Sequence, residues 1–164
     1  LVAGPVHLAT PRGVQRIDVQ SAQQMFDAVM HHSVGQDAFI ATAAVADWRP
    51  AEVHGQKMKK AEGGATAPTI AMAENPDIRA AVARLPDPPY CVGFAAESEK
   101  LAEHADAKRR RKGIPLIVAN LGPATFGRDD NALLLIDEQG QRELPRADKL
   151  SLARELIQEL SKRL

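Results

Sequence analysis

Tyr90-Cys91-Val92-Gly93-Phe94-Ala95-Ala96 is an unbroken run of apolar and small side chains. A strand with one face in water alternates apolar and polar residues, so a run without alternation marks a strand covered on both faces. Two more runs of this kind flank it: Asp37-Ala38-Phe39-Ile40-Ala41-Thr42-Ala43-Ala44-Val45, and Ile114-Pro115-Leu116-Ile117-Val118-Ala119. Helical patterns lie between them, over residues 76–85 and over 99–112 with Gly113 as the stop. Upstream, Ile17-Asp18-Val19 reads as a short strand. Ser21 then stands as an N-cap before Ala22, Met25, Phe26, Val29 and Met30 at helical spacing. Leu1-Val2-Ala3 before Gly4-Pro5 reads as the tail of a strand that stops abruptly, an unusual beginning for a domain. Downstream, residues 132–137 and 142–144 around Glu138-Gln139-Gly140-Gln141 predict a hairpin. A closing amphipathic helix from Asp148 carries Leu152, Leu156 and Leu160 on one face. Buried strands alternating with helices predict an α/β fold: a Rossmann-like, doubly wound, mostly parallel sheet with an antiparallel hairpin near its edge. Residues 1–164 are expected to form a single domain that is incomplete at its N-terminus.

Composition removes several function classes. The chain has 164 residues, and its 21 Lys+Arg balance 21 Asp+Glu. That balance argues against a general nucleic-acid binder, and only six aromatic residues are available for base stacking. No stretch approaches the roughly 18 apolar residues of a membrane span. The single cysteine, Cys91, excludes a disulfide framework and a Cys-rich zinc site, and its apolar surroundings make it a core residue. Without a charged-then-apolar leader the expected compartment is the cytoplasm. The five histidines show no metal-ligand spacing, and His31-His32 reads as a solvated helix end.

In doubly wound sheets ligands bind at the carboxyl ends of the strands. Four features bear on that place. The first is Ala43-Ala44-Val45-Ala46-Asp47-Trp48-Arg49-Pro50, where tiny side chains admit a ligand close to the backbone and Asp47 can accept hydrogen bonds. The second is Lys57-Met58-Lys59-Lys60, inside a Gly/Pro-rich stretch over residues 50–68. Such a long stretch without apolar periodicity predicts a flexible basic loop suited to closing over a polyphosphate. The third is Asn75-Pro76-Asp77-Ile78, a sharp helix start with Asn75 as N-cap and Pro76 as first helical residue. The fourth is Lys108-Arg109-Arg110-Arg111-Lys112. Leu101, Ala105, Lys108 and Lys112 share one helical stripe, so the packing face ends in two lysines, costly to bury unless they meet an anion. Each feature also has a purely structural explanation: a strand exit, a solvated charge run, a cap, and a basic last turn that complements the helix dipole.

Taken in order, Val2-Ala3-Gly4-Pro5-Val6, residues 43–49, Lys57-Met58-Lys59-Lys60, Asn75-Pro76-Asp77-Ile78, Val92-Gly93-Phe94-Ala95-Ala96-Glu97, residues 108–112, Val118-Ala119-Asn120 and Asp130-Asn131-Ala132 resemble phosphopantothenate–cysteine ligase, or phosphopantothenoylcysteine synthetase. In bacteria this is the C-terminal half of a bifunctional coenzyme A biosynthesis flavoprotein. The resemblance implies a ligase that joins 4′-phosphopantothenate to L-cysteine. CTP activates the carboxylate as an acyl-cytidylate with release of pyrophosphate, and the cysteine amine then displaces CMP. It places Ala41, Thr42, Ala43, Asp47, Lys57, Asn75, Pro76, Asp77, Ile78, Phe94, Lys108 and Lys112 at CTP, with Ala44 on the phosphopantothenate side. Asp47 and the start of the helix at Asn75 would read cytidine, and Phe94 would wall the pocket. Lys108 and Lys112 would neutralise phosphates, and Lys57 would act catalytically on the α-phosphate. Triphosphates arrive with Mg²⁺ held mostly by phosphate oxygens and water, so Mg²⁺ dependence is expected without a carboxylate cage. FMN is expected only where a flavin-dependent decarboxylase domain precedes this one. A homodimer is expected, with residues 69–72 as a strand near its interface; neither nucleic acid nor membrane is an expected partner. The alternative is a catalytically incomplete nucleotide-binding or regulatory module of the same fold.

Overall fold

A computed structural model describes residues 1–53, 55–56, 69–125 and 127–164. The basic run at 57–60, Lys57 included, and most of the expected loop over 50–68 lie outside the described residues.

The chain opens with β1 (Val2–Ala3), β2 (Ile17–Asp18), α1 (Ala22–His32), β3 (Ala38–Ala41), β4 (Trp48–Pro50) and β5 (Met72–Glu74). It continues through α2 (Ile78–Ala83), β6 (Tyr90–Glu97), α3 (Leu101–Lys112), β7 (Leu116–Leu121), β8 (Asp130–Ile136), β9 (Gln141–Asp148) and α4 (Lys149–Leu160). The central sheet has the order β3-β6-β7-β8-β9. Strands β3, β6 and β7 run parallel, and β8 and β9 add the expected antiparallel hairpin. Two small sheets stand beside it, parallel β1-β2 and antiparallel β4-β5.

Alternation along the strands splits the core into two. Cys91, Ala95, Ile117 and Ala119 face Val29 of α1, Ile78 and Val82 of α2 and Ala105 of α3. Val92, Leu116, Val118 and Leu135 face Leu152, Leu156 and Leu160 of α4. Helices on both faces make the sheet doubly wound. Local signals behave as read at Ser21, whose hydroxyl caps α1 in a capping box with Gln24, and at Gly113, whose φ of 67° closes α3 in the left-handed region.

Three expectations are corrected. Strand β3 ends at Ala41 rather than Val45, and as an edge strand it leaves Ile40 36% exposed. Pairing with β6 stops at Ala41↔Gly93, so the apolar run continues into irregular chain without a ladder. Helix α2 is capped by Asp77, whose carboxylate accepts from the Ala80 N–H at 3.2 Å, and not by Asn75. The strand expected over residues 69–72 is Met72–Glu74, paired with Trp48–Pro50. Among the described residues no helix is long and apolar enough to cross a membrane.

Candidate functional site

Where β3 ends, the chain from residue 42 to 47 turns away from the sheet and leaves a cleft of about 320 Å³ against the start of α2. A second, wider cavity of about 440 Å³ lies near Tyr90, Cys91 and Pro115, at the amino ends of the parallel strands. Volume does not choose between them; strand direction does, because ligands of such sheets sit at the carboxyl ends. The thiol at the amino-end cavity is no nucleophile either: burial pushes Cys91 up to about 11, so it stays protonated near neutrality.

The first cleft gathers most of the residues singled out from the sequence. Ala41, Thr42, Ala43 and Asp47 come from the chain leaving β3; Asn75, Pro76, Asp77 and Ile78 from the approach to α2; Lys112 from the last turn of α3. Three separate segments thus converge on one space. Other members of the set lie elsewhere. The Phe94 side chain packs with the α4-side core, and only its carbonyl turns to this region, accepting from Arg79 Nη1 at 2.8 Å. Lys108 is on the same stripe as Lys112 but meets Glu97 at 2.9 Å, off the cleft lining. Ala44 is exposed between Ala43 and Val45, which line the cleft.

Asn75 has a role that capping rules miss. Its Nδ2 donates to Ala46 O at 2.9 Å, its N–H donates to Asp47 O at 2.8 Å, and its Oδ1 accepts from Arg49 at 3.1 Å. Arg49 also donates to Glu74 O. This staple ties the loop after β3 to the start of α2 and so fixes the two walls of the cleft. Its signal in sequence was present but ambiguous: Asn75 and Asp77 are equally good N-caps either side of Pro76.

An ion pair joins α2's cap to the last turn of α3 in the cleft wall. Lys112 Nζ lies 2.9 Å from Asp77 Oδ2, with the lysine side chain 11% exposed and the carboxylate 46% exposed. Partial burial works to raise the Asp77 carboxyl. The Lys112 ammonium, the Ala80 N–H and nearby Arg79 more than offset it and hold the group below the usual carboxylate range. Arg79 also lines the cleft, and one arginine in a short helix carries no pattern in the sequence that would mark it. Among the described residues no three His, Cys, Asp or Glu side chains converge as a metal site.

An α/β domain with a polar, lysine-bearing cleft at the carboxyl end of an edge strand belongs to the class of doubly wound folds, whose ligands bind at that end of the sheet. The whole chain, residues 1–164, matches the family described as DNA/pantothenate metabolism flavoprotein C-terminal domain, and the chain belongs to that family. It is 48% identical over 157 residues to the coenzyme A biosynthesis bifunctional protein CoaBC of Vibrio cholerae, covering 93% of this chain and 39% of that protein. The chain therefore spans about two-fifths of the length of the curated relatives it matches. A crystal structure of the C-terminal domain of CoaBC superposes with a TM-score of 0.80 at 32% identity, over 99% of this chain and 72% of that one. A mutant of Cab2 in complex with phosphopantothenate-cysteine superposes with a TM-score of 0.65 over 90% of this chain and 53% of its own; at 13% identity that likeness is one of fold alone. The resemblance drawn from the motifs is borne out for the family and for the fold.

Proposed function

We propose that this chain carries the ligase step that joins 4′-phosphopantothenate to L-cysteine in coenzyme A biosynthesis, with CTP bound in the cleft beyond β3. The observation that carries the reading is the convergence of residues 41–43, Asp47, residues 75–78 and Lys112 on one cleft in a chain of this family. In the proposed reaction a carboxylate oxygen of phosphopantothenate attacks the α-phosphorus of CTP. The bond to the β-phosphate breaks and pyrophosphate leaves. The cysteine amine then attacks the acyl carbon, loses a proton, and expels CMP with its bonding pair.

The chain's own residues would divide the work by chemistry. Asp47 and the backbone of residues 75–78 suit the polar edges of a base and ribose, and Lys112 suits a phosphate. Lys108 would contribute charge from one helical turn away, Phe94 would act through the strand it anchors, and Ala44 would face phosphopantothenate. Lys57 is proposed for the charge that develops on the α-phosphate. Mg²⁺ would enter with the triphosphate; among the described residues no acid cluster forms a cage for it, and Asp77 is engaged by Lys112 and Ala80. We further propose a homodimer, and fusion to a decarboxylase domain that would be the site of any FMN; the support for fusion is that the relatives are bifunctional and this chain spans about two-fifths of their length.

The test is a two-stage assay on the complete gene product. CTP and phosphopantothenate without cysteine should release about one pyrophosphate per site, and added cysteine should then liberate CMP with continuous turnover. Pyrophosphate release that is independent of phosphopantothenate, or none at all with both substrates present, would contradict the reading.

A further inference from the structure

A lysine side chain only 11% exposed is stabilised by facing an anion, because an unpaired ammonium is costly away from water. In this structure the anion is the protein's own. Asp77 divides its two oxygens between separate tasks: Oδ1 accepts from the Ala80 N–H at 3.2 Å and caps α2, while Oδ2 meets Lys112 at 2.9 Å. The burial is unequal. The carboxylate is 46% exposed against 11% for the lysine side chain, so water can replace the lysine at Asp77 more readily than it can replace the carboxylate at Lys112. The neighbouring pair one turn back is built the other way round: Glu97 is 16% exposed against 28% for Lys108, so there the carboxylate is the more enclosed partner.

We propose that Asp77 is an internal counter-ion that competes with phosphate for Lys112, holding the lysine in place when the cleft is empty and stepping aside when a polyphosphate enters. The inference rests on the nucleotide reading of the cleft and deepens it. Asp77 tunes how tightly charge is held: by reclaiming Lys112 it weakens retention of pyrophosphate after it has been cleaved from CTP. Its effect should scale with ligand charge, largest for a triphosphate or pyrophosphate and absent for an uncharged nucleoside.

The test is calorimetric titration of CTP, pyrophosphate and cytidine into wild type, Asp77→Asn, Lys112→Gln and the double variant, with chelator present so that Asp77 acts on phosphate alone. Asn preserves the cap. Asp77→Asn should bind CTP and pyrophosphate about 3–10-fold more tightly, the scale of a partly exposed ion pair, with cytidine unchanged. The gain should shrink as salt rises and vanish in the Lys112→Gln background. A merely structural role for Asp77 cannot raise affinity. If Lys112→Gln weakens CTP while Asp77→Asn leaves it unchanged or weaker, or tightens it equally without Lys112, the counter-ion role is wrong and the nucleotide reading stands. If Lys112→Gln does not alter CTP binding, the nucleotide reading itself fails.

Discussion

Lys112 sits in the last turn of a regular helix with its ammonium held 2.9 Å from Asp77, so its charge is in place before any ligand arrives. A cation so fixed acts alike on ground state and transition state, which lowers KM without raising kcat. Lys112→Ala should therefore raise the apparent KM for CTP and leave kcat little changed. Lys57, proposed for charge that appears only as pyrophosphate leaves, should behave in the opposite way. Lys57→Ala is expected to lower kcat by about 10²–10³, the scale of one lost transition-state contact. A CTP titration of both variants separates them; a pure KM effect at Lys57 would remove its catalytic assignment. At this scale the sequence was partly legible. The stripe through Ala105, Lys108 and Lys112 showed that two lysines lie on the packing side and require anions. It could not show that the anions are Glu97 and Asp77, because these partners come from other elements and share no spacing with the helix.

The last helix is tied to the hairpin by charge as well as by leucines. Glu159, only 5% exposed, accepts from Lys162, Arg142 and Arg163, and Arg163 reaches across to Asp137 in the hairpin turn at 2.9 Å. Hydrogen bonding from Lys162, with further bonds from Arg142 and Arg163, pulls the Glu159 carboxyl down to about 2 against the cost of its burial. A folded-state pKa below the unfolded one contributes stability that is complete above the ordinary carboxylate range and is lost as pH falls towards about 2. Glu159→Gln should thus have a lower Tm than wild type at neutral pH, and the two melting curves should converge between about pH 4.5 and 2. An equal gap across that range would show that the charge of Glu159 does not stabilise the clamp. The leucine period of α4 and its start near Asp148 are readable locally, as are the strands β6 and β7; that Asp148 caps the helix is a finding of the structure. The end of β3 was not. Residues 42–46 remain small and apolar after pairing stops, and only the register with β6 decides where a ladder ends.

In the whole molecule, the sheet directs two layers of core and leaves its carboxyl end open to the cleft, with the β4-β5 ribbon beside it. That ribbon has three residues per strand and carries or adjoins Trp48, Ile70 and Met72, each more than half exposed. Two-stranded ribbons of this size are marginal in water alone. The proposed homodimer would cover these side chains, and sedimentation at micromolar concentration should find two chains; a monomer would count against it. The β4-β5 pairing was hidden from the sequence because its partners lie on either side of a long intervening segment with no periodicity. The proposed function puts CTP in the space between the end of β3 and the start of α2. Backbone hydrogen exchange with and without saturating CTP tests it directly. Slowed exchange over residues 41–47 and 77–80 is the predicted result, and slowing confined to the opposite pole around Tyr90 and Arg163, or none at all, would contradict it.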